Sequence, residues 1–310
     1  MNESGGRQEI WIPLKGKANG YNGTTVPLYQ EITENGEYVW DRSNGYSPVT
    51  VKVDVKRGTN KVDVAATGTR LAYSTFTTIP DMYDFSNCED MRIMLGRCSN
   101  MTIADLSTAL KATNIESICI GCTSLTQAYI NSTNLTNIDN AFRDCSSLQL
   151  VVVNVGKVTR MDAAFAGCSK LIRIDCISGD ALVPDFDTSS CISMTSLFDG
   201  CRSLVELPRL NMSNMPNKNY NENVLRNCTS LTTLRLEGLL NVDLDVHWSP
   251  LNENSIKSVL TAASKTTDTT AKTLYFKTGS TFTDDAEGTW AALISDCTTK
   301  GWTIRNLTLV

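Results

Sequence analysis

One short phrase recurs along this chain and constrains the fold more than any other feature. Aligned on a cysteine, six segments read GRCSNM, IGCTSL, RDCSSL, AGCSKL, DGCRSL and RNCTSL, anchored at Cys98, Cys122, Cys145, Cys168, Cys201 and Cys228. The steps between anchors are 24, 23, 23, 33 and 27 residues, so the last two carry insertions. Periods of this size mark repeat architectures. The register reaches well beyond the cysteine. Three residues before it stand Leu95, Cys119, Phe142, Phe165, Phe198 and Leu225; seven before it stand Met91, Ile115, Ile138, Met161 and Met194, with Asn221 breaking the rule. Three after it stand Met101, Leu125, Leu148, Leu171, Leu204 and Leu231, and six after it Ala104, Ala128, Val151, Ile174, Leu207 and Leu234.

Downstream of each anchor, apolar residues alternate with mostly polar ones, which is the pattern of a strand with one buried face. Upstream, the spacing of minus seven, minus three and zero predicts a short helical or 3₁₀ turn. One such unit cannot bury its apolar face alone, whereas stacked neighbours share a continuous core. The expected fold class is therefore an α/β repeat solenoid, with a stacked parallel β-sheet on one side and short helical turns on the other. Six strands at about 4.8 Å each make a rod on the order of 25–30 Å long.

The tail of the pattern, L-x-x-L-x-L, is the strand signature of a leucine-rich repeat. IDNAFRDCSSLQLV (Ile138 to Val151) and MDAAFAGCSKLIRI (Met161 to Ile174) resemble the BspA-like leucine-rich repeat, I-x-x-x-A-F-x-x-C-x-x-L-x-x-I. MTSLFDGC (Met194 to Cys201) is similar to the Met-and-Phe version of mycoplasma and gut-bacterial surface proteins. The resemblance covers about Tyr83 to Leu240. It implies a fold and a binding scaffold, and no particular ligand.

The chain has 11 cysteines. Besides the six anchors, Cys119 holds a slot that is Phe or Leu elsewhere, Cys176 an inward strand slot, and Cys88 and Cys191 a slot held by Leu135 and Val158 in other units. Ten thus replace apolar residues and are expected to pack as small hydrophobes in a structural core. The Cys119–Cys122 pair has C-x-x-C spacing, but a zinc site needs about four ligands, and the single histidine, His247, lies far along the chain. No metal or cofactor is expected.

The flanks differ from the repeats. Residues 1–31, with isolated Trp11, Ile12 and Leu14, read as an N-terminal extended arm for docking, or as an edge strand of the neighbouring β-unit. That unit, residues 32–66, is small, with alternation in VTVKVDV and turn signals at Asn35-Gly36 and Asn44-Gly45. The stretch ITENGEYVWDRSNGYSPVTVKVDV resembles modules of phage and prophage tail proteins. Residues 67–249 form the solenoid. Residues 250–310 read as an α/β C-terminal cap: a helix from PLNENSIKSVLTAASK, a strand in AKTLYFKTG, a second helix ending at Gly301, and a closing strand. That ending is similar to the cap after Met/Phe-type repeats in phage-encoded and gut-bacterial proteins.

Function is less constrained. The net charge of −5 and the absence of a basic or aromatic track argue against nucleic acid. No apolar run reaches the ~20 residues of a membrane span. The N-terminus lacks the basic start and apolar run of a secretory signal, so the expectation is folding in a reducing cytoplasm without disulfides. No P-loop, nucleophile elbow, metal-binding His pair or dinucleotide fingerprint occurs, so no catalytic residue is expected. His247, in DVHWSP, reads as a packed or surface residue. The candidate binding residues are the outward strand positions: Gln127, Tyr129, Leu150, Val152, Arg173, Asp175, Glu206, Thr233 and Arg235. The resemblances imply a non-enzymatic phage virion protein (tail, fibre or capsid decoration). Its arm would dock to other virion proteins, and its repeat body would contact a host surface protein, a glycan or a second copy. The alternative is a bacterial cell-surface adhesin of the BspA-like type.

Overall fold

The computed structural model describes residues 12–15, 28–30, 36–40, 49–54, 61–63, 71–79, 83–178, 181–183, 185–216, 221–285 and 287–310. Strands β1 (Ile12–Lys15) and β2 (Leu28–Gln30) pair antiparallel. The arm thus folds back on itself over these strands, and the rest of it lies outside the described residues. Next come β3 (Gly36–Trp40), β4 (Val49–Asp54), β5 (Lys61–Asp63) and β6 (Tyr83–Asp84), which form one sheet in that order. The last pairing, Val62 with Tyr83, is parallel and crosses the boundary expected at residue 66. The β-unit and the start of the repeats are therefore joined by a shared sheet.

The repeats stack through β7 (Ile103–Leu106), β8 (Gln127–Ile130), β9 (Leu150–Val153) and β10 (Arg173–Ser178). All are parallel and in register, so Ala104, Ala128, Val151 and Ile174 form one buried row. The other side departs from expectation. Among the described residues between 71 and 249 there is no helix. The chain upstream of each anchor makes overlapping turns instead. In the unit of Cys122, Ile118 N–H donates to Ile115 O, Ile120 to Ser117, Cys122 to Cys119 and Leu125 to Cys122, at 3.0–3.2 Å. The N–H groups in between point along the stack: Ile115 to Asn137 O, Ser117 to Asp139 O, Cys119 to Ala141 O and Gly121 to Arg143 O, at 2.8–3.0 Å.

This alternation requires two left-handed residues per unit. They are Ile93, Ser117, Asn140, Ala163, Ser196 and Asn223, five before the anchor, and Arg97, Gly121, Asp144, Gly167, Gly200 and Asn227, one before it, with φ from 52° to 80°. Each non-glycine residue there costs about 1–2 kcal/mol. The return is that every second N–H binds the neighbouring unit, whereas a helix would keep its N–H groups to itself. Both backbones put minus seven, minus three and zero inward, which is why the apolar spacing predicts a helical turn.

The insertion of the 33-residue step lies wholly on the strand side. The turn ladder runs unbroken across it, with Met161 N–H to Ser193 O at 2.9 Å and Gly167 N–H to Asp199 O at 2.7 Å. On the strand side β10 turns back as β11 (Ala181–Val183), antiparallel, so β12 (Glu206–Asn211) and β13 (Thr233–Glu237) form a separate parallel pair. Inside, Phe142, Phe165 and Phe198 stack at 5.6 and 5.4 Å between centroids. One buried core runs from Leu71 to Trp302.

Two further units carry serine in the anchor slot. Tyr73 is left-handed, with φ 64°, and its N–H donates to Gly96 O at 2.9 Å, so Ser74 is the anchor of a unit ahead of Cys98. Ser249 N–H closes on Val246 O at 2.9 Å, and its hydroxyl donates to Cys228 O at 3.2 Å.

Residues 250–310 form α1 (Glu253–Ser264), β15 (Lys272–Phe282), α2 (Thr289–Thr299) and β16 (Trp302–Leu309), the helix, strand, helix and strand expected from the sequence. A strand ahead of them that was not expected, β14 (Leu244–Asp245), joins their sheet by pairing with β15. Asn252 caps α1 by accepting from Ser255 N–H at 2.9 Å. Helix α1 also closes the free edge of β13. Ser255 Oγ accepts from Leu234 N–H at 2.9 Å and Ser258 Oγ from Leu236 N–H at 3.2 Å, where a further strand would otherwise pair. At the end of α2, Gly301 has φ 83°, and a Cβ there would lie 2.5 Å from Thr269 O, so only glycine fits.

Candidate functional site

The anchor thiols do more than fill space. Each donates to the carbonyl three residues before the anchor of the preceding unit: Cys98 to Leu71, Cys122 to Leu95, Cys145 to Cys119, Cys168 to Phe142, Cys201 to Phe165 and Cys228 to Phe198, at 3.0–3.2 Å. That carbonyl already accepts the backbone N–H of its own unit's anchor, so the thiol takes its second lone pair. Burial pushes the thiols of Cys145, Cys168 and Cys201 up, and those of Cys191 and Cys228 up to about 12. Such groups stay protonated at neutral pH and are poor nucleophiles and ligands. Cys88, Cys98, Cys119, Cys122 and Cys297 are buried as well. Cys176 is the exception. It is only half-buried, because β10 leaves the stack in the hairpin with β11 and no following unit covers it.

The outward strand positions form two rows in the first sheet. Ile103, Gln127, Leu150 and Arg173 are one row; Asp105, Tyr129, Val152 and Asp175 are the other. Tyr129 Oη donates to Gln127 Oε1 at 2.8 Å, which lays the ring along the strand. Two expected surface residues are in fact buried. Val152 is 0% exposed, since neighbouring strands put the larger Tyr129 and Asp175 on either side of this short side chain. Asp175 is 2% exposed and is paired by Arg173, which lies across it at 3.0 Å. Glu206, Thr233 and Arg235 belong to the second sheet, so the candidate binding residues fall in two patches. Between them Arg209 binds Asp185 at 3.3 Å, Asp187 at 3.2 Å and Glu237 at 3.1 Å, pinning the exit of the hairpin to the second sheet. The carboxylates around it, Asp187 foremost, raise its pKa.

A groove at the junction of the repeats and the cap was not among the expected sites. It holds about 400 Å³ and is lined by Asn221, Glu222, Asn223, Asp243, Asp245, Thr273 and Tyr275, with Val224 and Leu244 beneath. The unit of Cys228 supplies one wall, β14 and β15 the other. Its signal in the sequence is Asn221, the polar residue in an otherwise apolar slot, followed by the aromatic pair His247-Trp248. Asn221 Nδ2 donates to Asp243 O at 2.6 Å, tying the two walls together. His247 packs edge-on to Tyr275 at 5.2 Å and against Trp248 at 4.5 Å, and Asp245 accepts from His247 N–H at 3.0 Å.

Similarity to known proteins falls on the stacked repeats. A family model described as a Mycoplasma protein of unknown function, DUF285, matches residues 136–233, from the unit of Cys145 to the start of β13. No curated protein matches the sequence. A solved leucine-rich repeat protein from Bacteroides ovatus is similar, at 15% identity and a TM-score of 0.45, over 79% of this chain and 66% of that one. The chain thus spans just under two thirds of that protein's length.

Proposed function

We propose that this chain is a non-enzymatic binding protein of the bacterial cell surface, an adhesin of the BspA-like kind, holding its partner on the outward sheet face. The observation that carries the reading is the repeat stack. It presents chemically varied side chains, among them Gln127, Tyr129, Leu150 and Arg173, from strands fixed by in-register pairing. Rigid elements of this kind lower the ordering cost of binding. The family match falls on the repeats at residues 136–233 and leaves the phage-like β-module without support, which favours the surface reading over the virion one. The test is protease shaving of intact cells that carry the native gene. Peptides from the repeat region are expected before lysis. Their appearance only after lysis, or recovery of the protein with phage particles, would overturn the proposal.

A further inference from the structure

We propose that the groove between the unit of Cys228 and the cap is a subsite for a neutral oligosaccharide. This deepens the surface-binding reading, resting on it for where the ligand is met, while the groove argument concerns the isolated chain alone. A volume of about 400 Å³ is within the ~300–1,000 Å³ of small-molecule sites. The walls offer planar polar groups: Glu222, the Asn223 amide and the Tyr275 phenol. None of these three side chains has a hydrogen-bond partner among the described residues, so they are free to meet a ligand rich in hydroxyls.

The charge pattern excludes an anionic sugar, because the lining carries Glu222, Asp243 and Asp245 and no basic side chain. Asp243 accepts Thr273 N–H at 2.7 Å and Asp245 accepts His247 N–H at 3.0 Å, each through one oxygen, which leaves the other for a sugar hydroxyl. Among the described residues the Glu222 carboxylate has no hydrogen-bond partner, so both of its oxygens can accept. Tyr275 gives the groove an aromatic wall, and His247 leads from it to Trp248, a residue 39% exposed just beyond the lining. Such rings offer an apolar face with a polar edge, which suits the C–H face of a sugar ring.

The experiment uses the whole purified chain on an array of short glucose, galactose and mannose oligomers, followed by calorimetric titration of whatever is retained. Retention is expected, with Glu222→Ala and Trp248→Ala each weakening affinity by about tenfold. Both positions are exposed, and melting curves would check that the variants fold. Arg202→Ala, at an exposed turn outside the groove, should leave affinity unchanged. Retention of no oligomer, equal loss in Arg202→Ala, or displacement by spermine but not by free sugar would overturn the proposal. Absence of the protein from cell surfaces would sink only the adhesin reading and leave these titrations as they are.

Discussion

Replacing Cys145 with alanine and, separately, with serine distinguishes two accounts of the anchor cysteine. Cys145 is fully buried, and its Sγ lies 3.0 Å from Cys119 O. That carbonyl also accepts Cys122 N–H at 3.1 Å, so losing the thiol does not leave it orphaned. Alanine removes a sulfur a little larger than a methylene, worth about 1 kcal/mol of transfer free energy, plus part of a small cavity. It also loses a weak hydrogen bond worth about 0.5 kcal/mol. The expected loss is about 1.5–2 kcal/mol. Serine restores a donor aimed at the same carbonyl and should cost less than alanine, about 1 kcal/mol. A dry slot with no acceptor would reverse the order, because an unpaired buried hydroxyl costs about 1–3 kcal/mol. Ser74 shows that a hydroxyl fits an anchor slot, where its Oγ donates to Leu71 O of its own unit at 2.6 Å. Urea unfolding of both variants under reductant, compared at equal m-values, checks the order. A serine variant less stable than the alanine variant would refute the hydrogen-bond account.

Two further outcomes rest on the same geometry. Burial raises the native thiols of Cys191 and Cys228 to about 12 and of Cys297 to about 11, above the usual 9.0. A folded pKa above the unfolded one means stability that is full below the unfolded value and is lost as pH rises towards the folded value. Urea midpoints under reductant should hold from about pH 7 to about pH 8.5 and fall from there upward; a midpoint flat to about pH 10.5 would contradict the burial account. Ser258→Ala with Ser255→Ala strips the acceptors from Leu234 and Leu236 N–H at the free edge of β13. A loss of about 2–4 kcal/mol is expected, at 1–2 per orphaned group, with faster exchange of those two amides; unchanged exchange would show that α1 does not cap the sheet through these serines.

How far the molecule is legible in its residues varies by position. Strand rows such as Ala104, Ala128, Val151 and Ile174 follow from alternation and a constant step. So do the two cap helices, whose starts and stops carry their own residues: Asn252 at one, Asp284, Asp285 and Gly301 at the other. The units of Ser74 and Ser249 escape a pattern keyed to cysteine, because a hydroxyl fills the anchor slot and bonds elsewhere, Ser74 to Leu71 O of its own unit and Ser249 to Cys228 O. Val152 and Asp175 are misplaced because alternation assigns a side, while exposure on that side depends on the size and charge of neighbours from other strands. The groove is legible only as a polar letter, Asn221, in an apolar slot, which does not by itself mark a site. Its walls are more than twenty residues apart in sequence, and only stacking brings Asn221 to Asp243.

What the sequence alone determined is the period: which residues face inward, and how many units exist with cysteine anchors. Those properties depend on spacing and on apolarity, both of which are written in the residues. Only the tertiary structure decided how the backbone runs between inward positions. Turns with two left-handed residues win over a helical turn because half of their N–H groups are satisfied by the next unit, a partner that no single repeat contains. The thiols' acceptors, the break between β10 and β12, and the groove under the cap are settled in the same way, by neighbours across the stack.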